Sequence, residues 1–561
     1  MSWTVRTADP DAARELGRAS GVGPTLGQVL LHRGFGDAEG ARAFLEPKLA
    51  SLSAPDAMRD RAPAAERLGR AVRAKERIVV FGDYDVDGTT SAAILSDILA
   101  ALGADVVALV ARRFEGGYGF SREALARARD AGAELIVTCD CGSSDHERIA
   151  DAMAAGIDVI VIDHHLVPAE PLPAFAFLNP HRPDCGFPYK GLASAGLALS
   201  VGAAVRKEIG ANLDVRAWLD LVAIGTVADV APLDGDNRAL VRAGLERLSE
   251  GATRPGISAL REAAQMKPGF VGAVDIAFRL APRLNAAGRI GDPQVTLDLL
   301  RATSPEQART HAAEIERLNL ERRMLERRIT AEAEATALAQ YGDAAPEAVV
   351  VGGEGWHRGV VGITAARLVD RFHAPALVVA FDGDEGHGSG RAPEGFPLYD
   401  VLKRASEPLS AFGGHHAATG FSLKRSKFGE FREAFEAAAK STAFVPVAPT
   451  PEADVRVDGA TFPLPTAREL RLLEPVGECN REPLFEVADA EVARASGVGE
   501  GGAHLKLDLR VGGARLSGFG YDLGARKPRV GERLRILGHL RPDTWRGGDA
   551  VEVRLLEWSK S

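Results

Sequence analysis

Residues 77–91 read RIVVFGDYDVDGTTS, an apolar, β-branched run that ends abruptly in carboxylates. The pattern returns in ADVVALV (104–110), AELIVTCD (133–140) and IDVIVID (157–163), with Ala-rich helical sequence between the runs. Strands alternating with helices at that interval predict a mainly parallel sheet covered on both faces. Three of the runs finish on acidic residues, and open sheets of this kind bind ligands at the carboxyl ends of their strands.

Those strand ends hold the chemistry. Asp83, Asp85 and Asp87 lie within five residues, Asp140 closes the third run, and Asp163, His164 and His165 close the fourth. A lone D-x-D-x-D is as often a solvated acidic turn, but three strand ends converging on one sheet edge concentrate charge that demands a cation. A further apolar segment, LVAIGTVADVAPL (221–233), delivers Asp229 and is compatible with helix or strand. Asp83, Asp85, Asp87, Asp140, His164 and Asp229 are too many donors for one ion and suit two. Oxygen-rich sites with one imidazole favour Mn²⁺ or Mg²⁺ over structural zinc. Two such ions about 4 Å apart suit in-line displacement at phosphorus, so phosphoester hydrolysis is the expected reaction class.

The rest of the 561 residues divides by pattern into an N-terminal helical region (1–72), the α/β domain (73–300), a polar-rich connecting helix (301–345), a smaller α/β unit (346–445) and a tail (446–561). The tail alternates strongly, as in Leu505, Leu507 and Leu509, and predicts a small antiparallel barrel or sandwich. Four cysteines without paired spacing exclude a disulfide framework and a structural zinc site. With no leader pattern and no long uncharged apolar run, the expectation is a soluble cytoplasmic protein without a membrane segment. A net charge of −9 argues against a uniformly basic nucleic-acid binder, yet residues 501–561 hold 12 Lys or Arg against 7 Asp or Glu. Positive charge collects in the tail.

DYDVDGTTS, DCG, DHH, NAAGRIGD, GWHRGVVGI, GSGR and GGHHAATGF, in that order, resemble the DHH phosphoesterase superfamily, and within it the RecJ family of single-strand-specific 5′→3′ DNA exonucleases. LEPVGECNREPLF (473–485) is similar to that family's entry to an OB-fold. The resemblance implies an α/β multidomain protein: a parallel-sheet DHH domain, a smaller α/β DHH-associated domain joined by a long helix, and a C-terminal β-barrel that grips single-stranded DNA. It makes Asp83, Asp85, Asp87, Asp140, His164 and Asp229 the ligands of two Mn²⁺ ions, with Mg²⁺ as the alternative and Asp140 as the bridge. Asp163 would orient its histidine neighbour, and His165 would sit against the scissile phosphate. Arg113, Arg289, Ser389 and Arg391 correspond to phosphate-binding positions, and His357, His415 and His416 are further substrate candidates.

Three departures from the family pattern affect loops and no ligand: RRF at 112–114, the polar DCGSS at 140–144, and ECN at 478–480. In the tail, Arg526, Lys527, Arg529, Arg533 and Arg535 would follow a DNA backbone while Phe519, Tyr521 and Trp545 offer stacking faces; a solvated basic face over a β core is the plainer reading. A groove between the two α/β units would keep the strand bound, and the expected protein is a monomer supplied by a helicase or a single-strand-binding protein. A nanoRNA or small-phosphoester hydrolase would share the same ligands, and a non-enzymatic scaffold should have lost them.

Overall fold

The computed structural model describes residues 3–117, 119–251, 254–342, 346–415, 418–442, 444, 450–544 and 546–561. The chain forms two compact units, one of Met1–Asn285, Pro293–Ala312 and Thr450–Ser561, the other of Ala286–Asp292 and Ala313–Pro449.

The first unit holds the predicted parallel sheet: β1 (Arg77–Gly82), β2 (Asp105–Val110), β3 (Leu135–Cys139), β4 (Asp158–Ile162) and β5 (Ala176–Leu178), in the order β2-β1-β3-β4-β5. Ile78, Val79, Val80 and Phe81 are all fully buried, as a strand covered on both faces requires. The chain leaves β1 to form β2 on one side and returns to form β3 on the other, so β1 lies at the point where strand order reverses. Its carboxyl end meets helix Val86–Ala101, and a Cβ on Gly88 would lie 2.5 Å from the Asp83 nitrogen, so only glycine permits this approach of helix to strand. LVAIGTVADVAPL, left open between helix and strand, lies in a helix over Leu219–Ala228 that is buried from Leu219 to Val227. An all-round apolar helix carries no period to read.

The second unit carries β6 (Val349–Glu354), β7 (Ala376–Asp382), β8 (Glu385–Arg391), β9 (Leu409–His415) and β10 (Ala418–Lys424), ordered β9-β10-β8-β7-β6. Among these described strands only the β6–β7 pair is parallel. The connecting helix runs Pro305–Tyr341, 37 residues, or about 55 Å. Its Ile329, Ala333 and Ala337 are buried against Val349, Val351 and Val378.

The tail is a barrel of β11 (Val455–Val457), β12 (Phe485–Val498), β13 (His504–Val511), β14 (Ala514–Gly520), β15 (Arg533–Pro542) and β16 (Val551–Lys560). β12 pairs with both β13 and β15, which closes five strands into a ring. Register shifts in β12 after Val487 and Val492 bend it enough to serve both partners. β14 runs parallel to β16, and β11 runs parallel to β12, so the barrel departs from the all-antiparallel expectation at two pairings. Helices Pro10–Ser20, Pro24–His32 and Ala38–Leu45 bury Leu16, Leu26, Leu30 and Leu45 in one core with Val455, Phe485 and Val487. Helix Arg61–Ala74 packs instead on helix Ser194–Ile209 beside the parallel sheet. Among the described residues no helix is long and apolar enough to cross a membrane.

Candidate metal centre

Three backbone hydrogen bonds place the acidic residues side by side. Asp83 donates its N–H to Cys139 O (3.2 Å), Asp140 to Ile162 O (2.9 Å), and Asp163 to Leu178 O (3.0 Å). The ladder thus continues one residue past each strand, and Asp83, Asp140 and Asp163 step along one sheet edge. Asp85 caps helix Val86–Ala101, its carboxylate accepting from Gly88 N–H at 3.0 Å. Asp87 is held from outside: its oxygens accept from Ser194 N–H (2.8 Å) and Ala195 N–H (3.0 Å), at the start of helix Ser194–Ile209. Ser194 Oγ donates to Asp140 Oδ1 at 3.0 Å, so one serine fixes two carboxylates.

His164 Nε2 sits among Asp140 Oδ1 (3.2 Å), Asp229 Oδ2 (3.7 Å) and Asp87 Oδ2 (3.9 Å). It is buried and makes no hydrogen bond of ordinary geometry among the described residues. Burial, followed by the charge on His165, lowers its pKa to about 4, which leaves a neutral imidazole fit to ligate a metal. Candidate ligand atoms fall into two sets that share this residue, Asp140–His164–His165 and Asp87–His164–Asp229, each within 4.8 Å.

The carboxylates hold unfavourable charge. Burial, then Asp85, raises Asp87 to about 7, and burial, then Asp87, raises Asp229 to about 8. Burial, then Asp85, also raises Asp83 and Asp140. Asp83 is fully buried, neither of its side-chain oxygens makes a hydrogen bond of ordinary geometry among the described residues, and the backbone N–H groups of Tyr84 and Gly119 offset its burial only in part. A buried carboxylate so placed is strongly disfavoured unless a cation neutralises it. Asp87, Asp140 and Asp229 converge on a neutral imidazole; Asp85 acts on them through its charge and Asp83 lies beside them on the sheet edge, neither joining either set. Such carboxylates with one imidazole are the donors of a hard divalent cation, so these residues fit the group that the sequence implies.

Asp163 has another role. It accepts from His165 Nδ1 (2.7 Å), from the N–H groups of His164 (2.8 Å) and His165 (3.2 Å), and from Ser143 N–H (3.1 Å). Burial alone would raise its pKa, but the hydrogen bond to His165, the charge on that ring and the hydrogen bond from Ser143 together outweigh it and hold Asp163 below the usual carboxylate range. Burial disfavours protonated His165, yet the Asp163 hydrogen bond and charge raise it to about 9. The result is a half-exposed imidazolium beside the acidic cluster. Arg113 stacks on Tyr84, between Asp83 and Asp85, at 4.1 Å from the ring centroid.

Within the second unit, the segment around 357–362 gathers the remaining candidates. Arg289 Nη1 donates to Gly359 O at 3.4 Å, and His357 Nδ1 accepts from Gly359 N–H at 3.1 Å. Arg391 Nη1 donates to Ser389 Oγ at 3.1 Å. A Cβ on Gly362, at the start of helix Val361–Phe372, would lie 3.0 Å from Ser389 Oγ and 3.2 Å from Arg391 Nη2. His415 ends β9, in the register row that contains Ala418 and Arg391. Its side chain lies outside the described residues, as do His416 and Trp545.

Comparison with known proteins agrees with this layout. The DHH family N-terminal domain matches residues 77–226, the DHHA1 domain 345–441, and the RecJ OB domain 453–557. The single-stranded-DNA-specific exonuclease RecJ of Escherichia coli is 38% identical over 523 residues, covering 87% of this chain and 88% of that one. The RecJ of Thermus thermophilus is 35% identical, covering 100% of this chain and 79% of its own. This chain belongs to the RecJ family. The crystal structure of Thermus thermophilus RecJ with Mn²⁺ matches with a TM-score of 0.80 at 33% identity, covering 100% of this chain and 79% of that one. The same protein with Mg²⁺ matches at 0.74 and 31%, covering 100% and 78%.

Asp229 lies three residues beyond the DHH match of this RecJ-family chain, so its place in the cluster rests on the distances above. The sequence did not single out Ser194 or Asn179. Fully buried Asn179 donates through Nδ2 to His165 O (2.8 Å) and Ser143 Oγ (3.1 Å). It follows β5 directly, the strand-end position that exposed the acids, and that rule extended to amides would have found it. The polar Ser143, a departure from the RecJ pattern, is thereby given a partner. On the barrel, Arg526 pairs with Glu557 and Arg535 with the buried Glu486, and both arginines keep part of their side chain exposed. A different row stands in register across four barrel strands: Lys506, Phe519, Arg554 and His539. Arg554 lies 5.1 Å from the Phe519 ring and 5.3 Å from that of the exposed Tyr521.

Proposed function

We propose that this chain is a divalent-metal-dependent exonuclease for single-stranded DNA that begins at the 5′ end and releases 5′-mononucleotides. The observation that carries the reading is the cluster in which the carboxylates of Asp87, Asp140 and Asp229 converge on the neutral imidazole of His164, with the buried Asp83 beside it on the same sheet edge. Asp83, Asp85, Asp87, Asp140, His164 and Asp229 would hold two ions, with Asp140 between them. The metals named in the Thermus RecJ structures support a divalent cation, and we assign Mn²⁺, with Mg²⁺ as the alternative. Cations held there supply Lewis acidity to activate water and to stabilise both the attacking and the leaving oxygen at phosphorus.

The chain's own groups position the substrate. Asp163 fixes the Nδ1–H of His165, which leaves Nε2 to donate to an oxygen of the scissile phosphate. Arg113 in the first unit, and Arg289, Ser389, Arg391, His357 and His415 in the second, would each bind phosphate oxygens of the strand. The bond that breaks joins phosphorus to the 3′ oxygen of the terminal nucleotide. Water adds to phosphorus, a proton goes to the departing oxygen, and the shortened strand keeps the 5′ phosphate. The barrel would hold the strand through Lys506 and Arg554 on phosphates and Phe519 and Tyr521 under bases. A helicase and a single-strand-binding protein are the partners this role calls for, with a monomer acting in the cytoplasm. The small-phosphoester alternative is disfavoured by a barrel that a dinucleotide does not need.

The test is digestion, in Mn²⁺, of oligonucleotides blocked at the 5′ or the 3′ end, by the native chain and by Asp140→Ala. Mononucleotide release only from a free 5′ end, and none by the variant, is the expected result. Cleavage of dinucleotides without long strands would replace the reading with a small-substrate hydrolase.

A further inference from the structure

Helix Leu219–Ala228 ends in a paired motif, with Val230 N–H donating to Val227 O and Ala231 N–H to Thr226 O, both at 3.2 Å. The residue after the C-cap in this motif turns left-handed and is usually glycine. Helices Pro10–Ser20, Ser194–Ile209 and Gly235–Glu250 follow that rule with Gly21, Gly210 and Gly251. Here the position is Val230, with φ +60°. Among the described residues it is the one β-branched residue with positive φ, a conformation in which the branched side chain crowds its own backbone. Nor does burial compensate, because Val230 is 66% exposed. Folding therefore gains nothing evident from valine at this position, where glycine would relieve strain.

Its location suggests what the side chain is for. Val230 follows Asp229, whose carboxylate lies 3.7 Å from His164, and strained backbone persists mainly where function requires it. Leu166 stands similarly one residue past His165, 79% exposed. Two turns that carry charged groups of the centre thus each add an exposed apolar residue. A nucleotide needs such a pairing, because its phosphate is charged while its deoxyribose and base present apolar faces. We infer that Val230 is a substrate-binding residue, an apolar wall against the sugar and base of the nucleotide whose phosphate lies at the acidic cluster. The inference rests on the exonuclease reading above.

Val230→Gly separates strain from function. The metal-free variant should melt about 2 to 4 °C higher than the native chain. With a single-stranded oligonucleotide in Mn²⁺, its KM should rise about fivefold to tenfold through lost apolar contact, while kcat and the Mn²⁺ half-saturation stay within about twofold. Val230→Thr keeps the β-branched shape, and with it the strain, at this exposed position and should hold the native melting temperature, with KM within about threefold. A glycine variant with native KM overturns the inference, and one that melts lower shows that the valine serves the fold. Should the glycine variant fold poorly, Val230→Asn, also tolerant of left-handed backbone, gives the same two readouts. A native chain inactive on the oligonucleotide would refute the exonuclease reading itself, before any variant is compared.

Discussion

Removing divalent metal should make the protein less stable as pH rises through neutrality, the reverse of ordinary acid denaturation. Asp87 is raised to about 7 and Asp229 to about 8 from 3.8. Between pH 6.5 and 8 the unfolded carboxyls are ionised while the folded ones still hold protons, so the folded state binds more protons and raising pH favours unfolding. Each proton accounts for about 1.4 kcal/mol per pH unit across its own range. Asp87 is lost by pH 7 and Asp229 by pH 8, giving together about 3 kcal/mol. His165, raised to about 9 from 6.5, acts in the same direction over this window, though its exposure keeps the contribution small. His164, lowered to about 4 from 6.5, opposes the trend only below pH 6.5. For a domain of this size the loss corresponds to roughly 5 to 10 °C in melting temperature. The assay is thermal melting of EDTA-treated protein at pH 6.5, 7.25 and 8, repeated with saturating Mn²⁺. The trend should flatten or reverse with metal, which binds the deprotonated ligands. A metal-free melting temperature that is constant or rises with pH would refute the burial and repulsion argued for this cluster.

Asn179→Ala removes the donor to His165 O and Ser143 Oγ; kcat should fall about tenfold through misplacement of His165, with Mn²⁺ affinity by calorimetry unchanged. Phe519→Ala combined with Tyr521→Ala should raise KM for a long single strand about tenfold or more, as expected when stacking faces are lost, and leave cleavage of a trinucleotide unaffected; equal loss on both substrates would place the rings outside the strand's path.

Asp83, Asp140 and Asp163 were legible because each follows a strand, and strand ends can be read from runs of apolar, β-branched residues; Asp85 and Asp87 were legible as near neighbours of the first. Asp229 was legible only by its type, since the helix before it is apolar on every side. Asn179 and Ser194 are common residue types whose importance comes from what they touch, and those contacts join residues far apart in sequence. The barrel followed from alternation, but its closure depends on two bulges in β12 that no local pattern announces. Counting basic residues does not reveal the acidic partners of Arg526 and Arg535, because Glu557 and Glu486 reach them only through tertiary pairing.

The core shared by helices within residues 10–45 and the barrel has a consequence for synthesis. Those helices leave the ribosome about 400 residues before their partners do, which at usual elongation rates is a wait of roughly 20 to 80 s. Throughout it Leu16, Leu26, Leu30 and Leu45 have no barrel to pack on. The latest-made strands thus complete the earliest-made helices, a contact order that slows folding and makes the nascent chain a client for chaperones. A stop codon anywhere before β12 would leave this apolar seam permanently open.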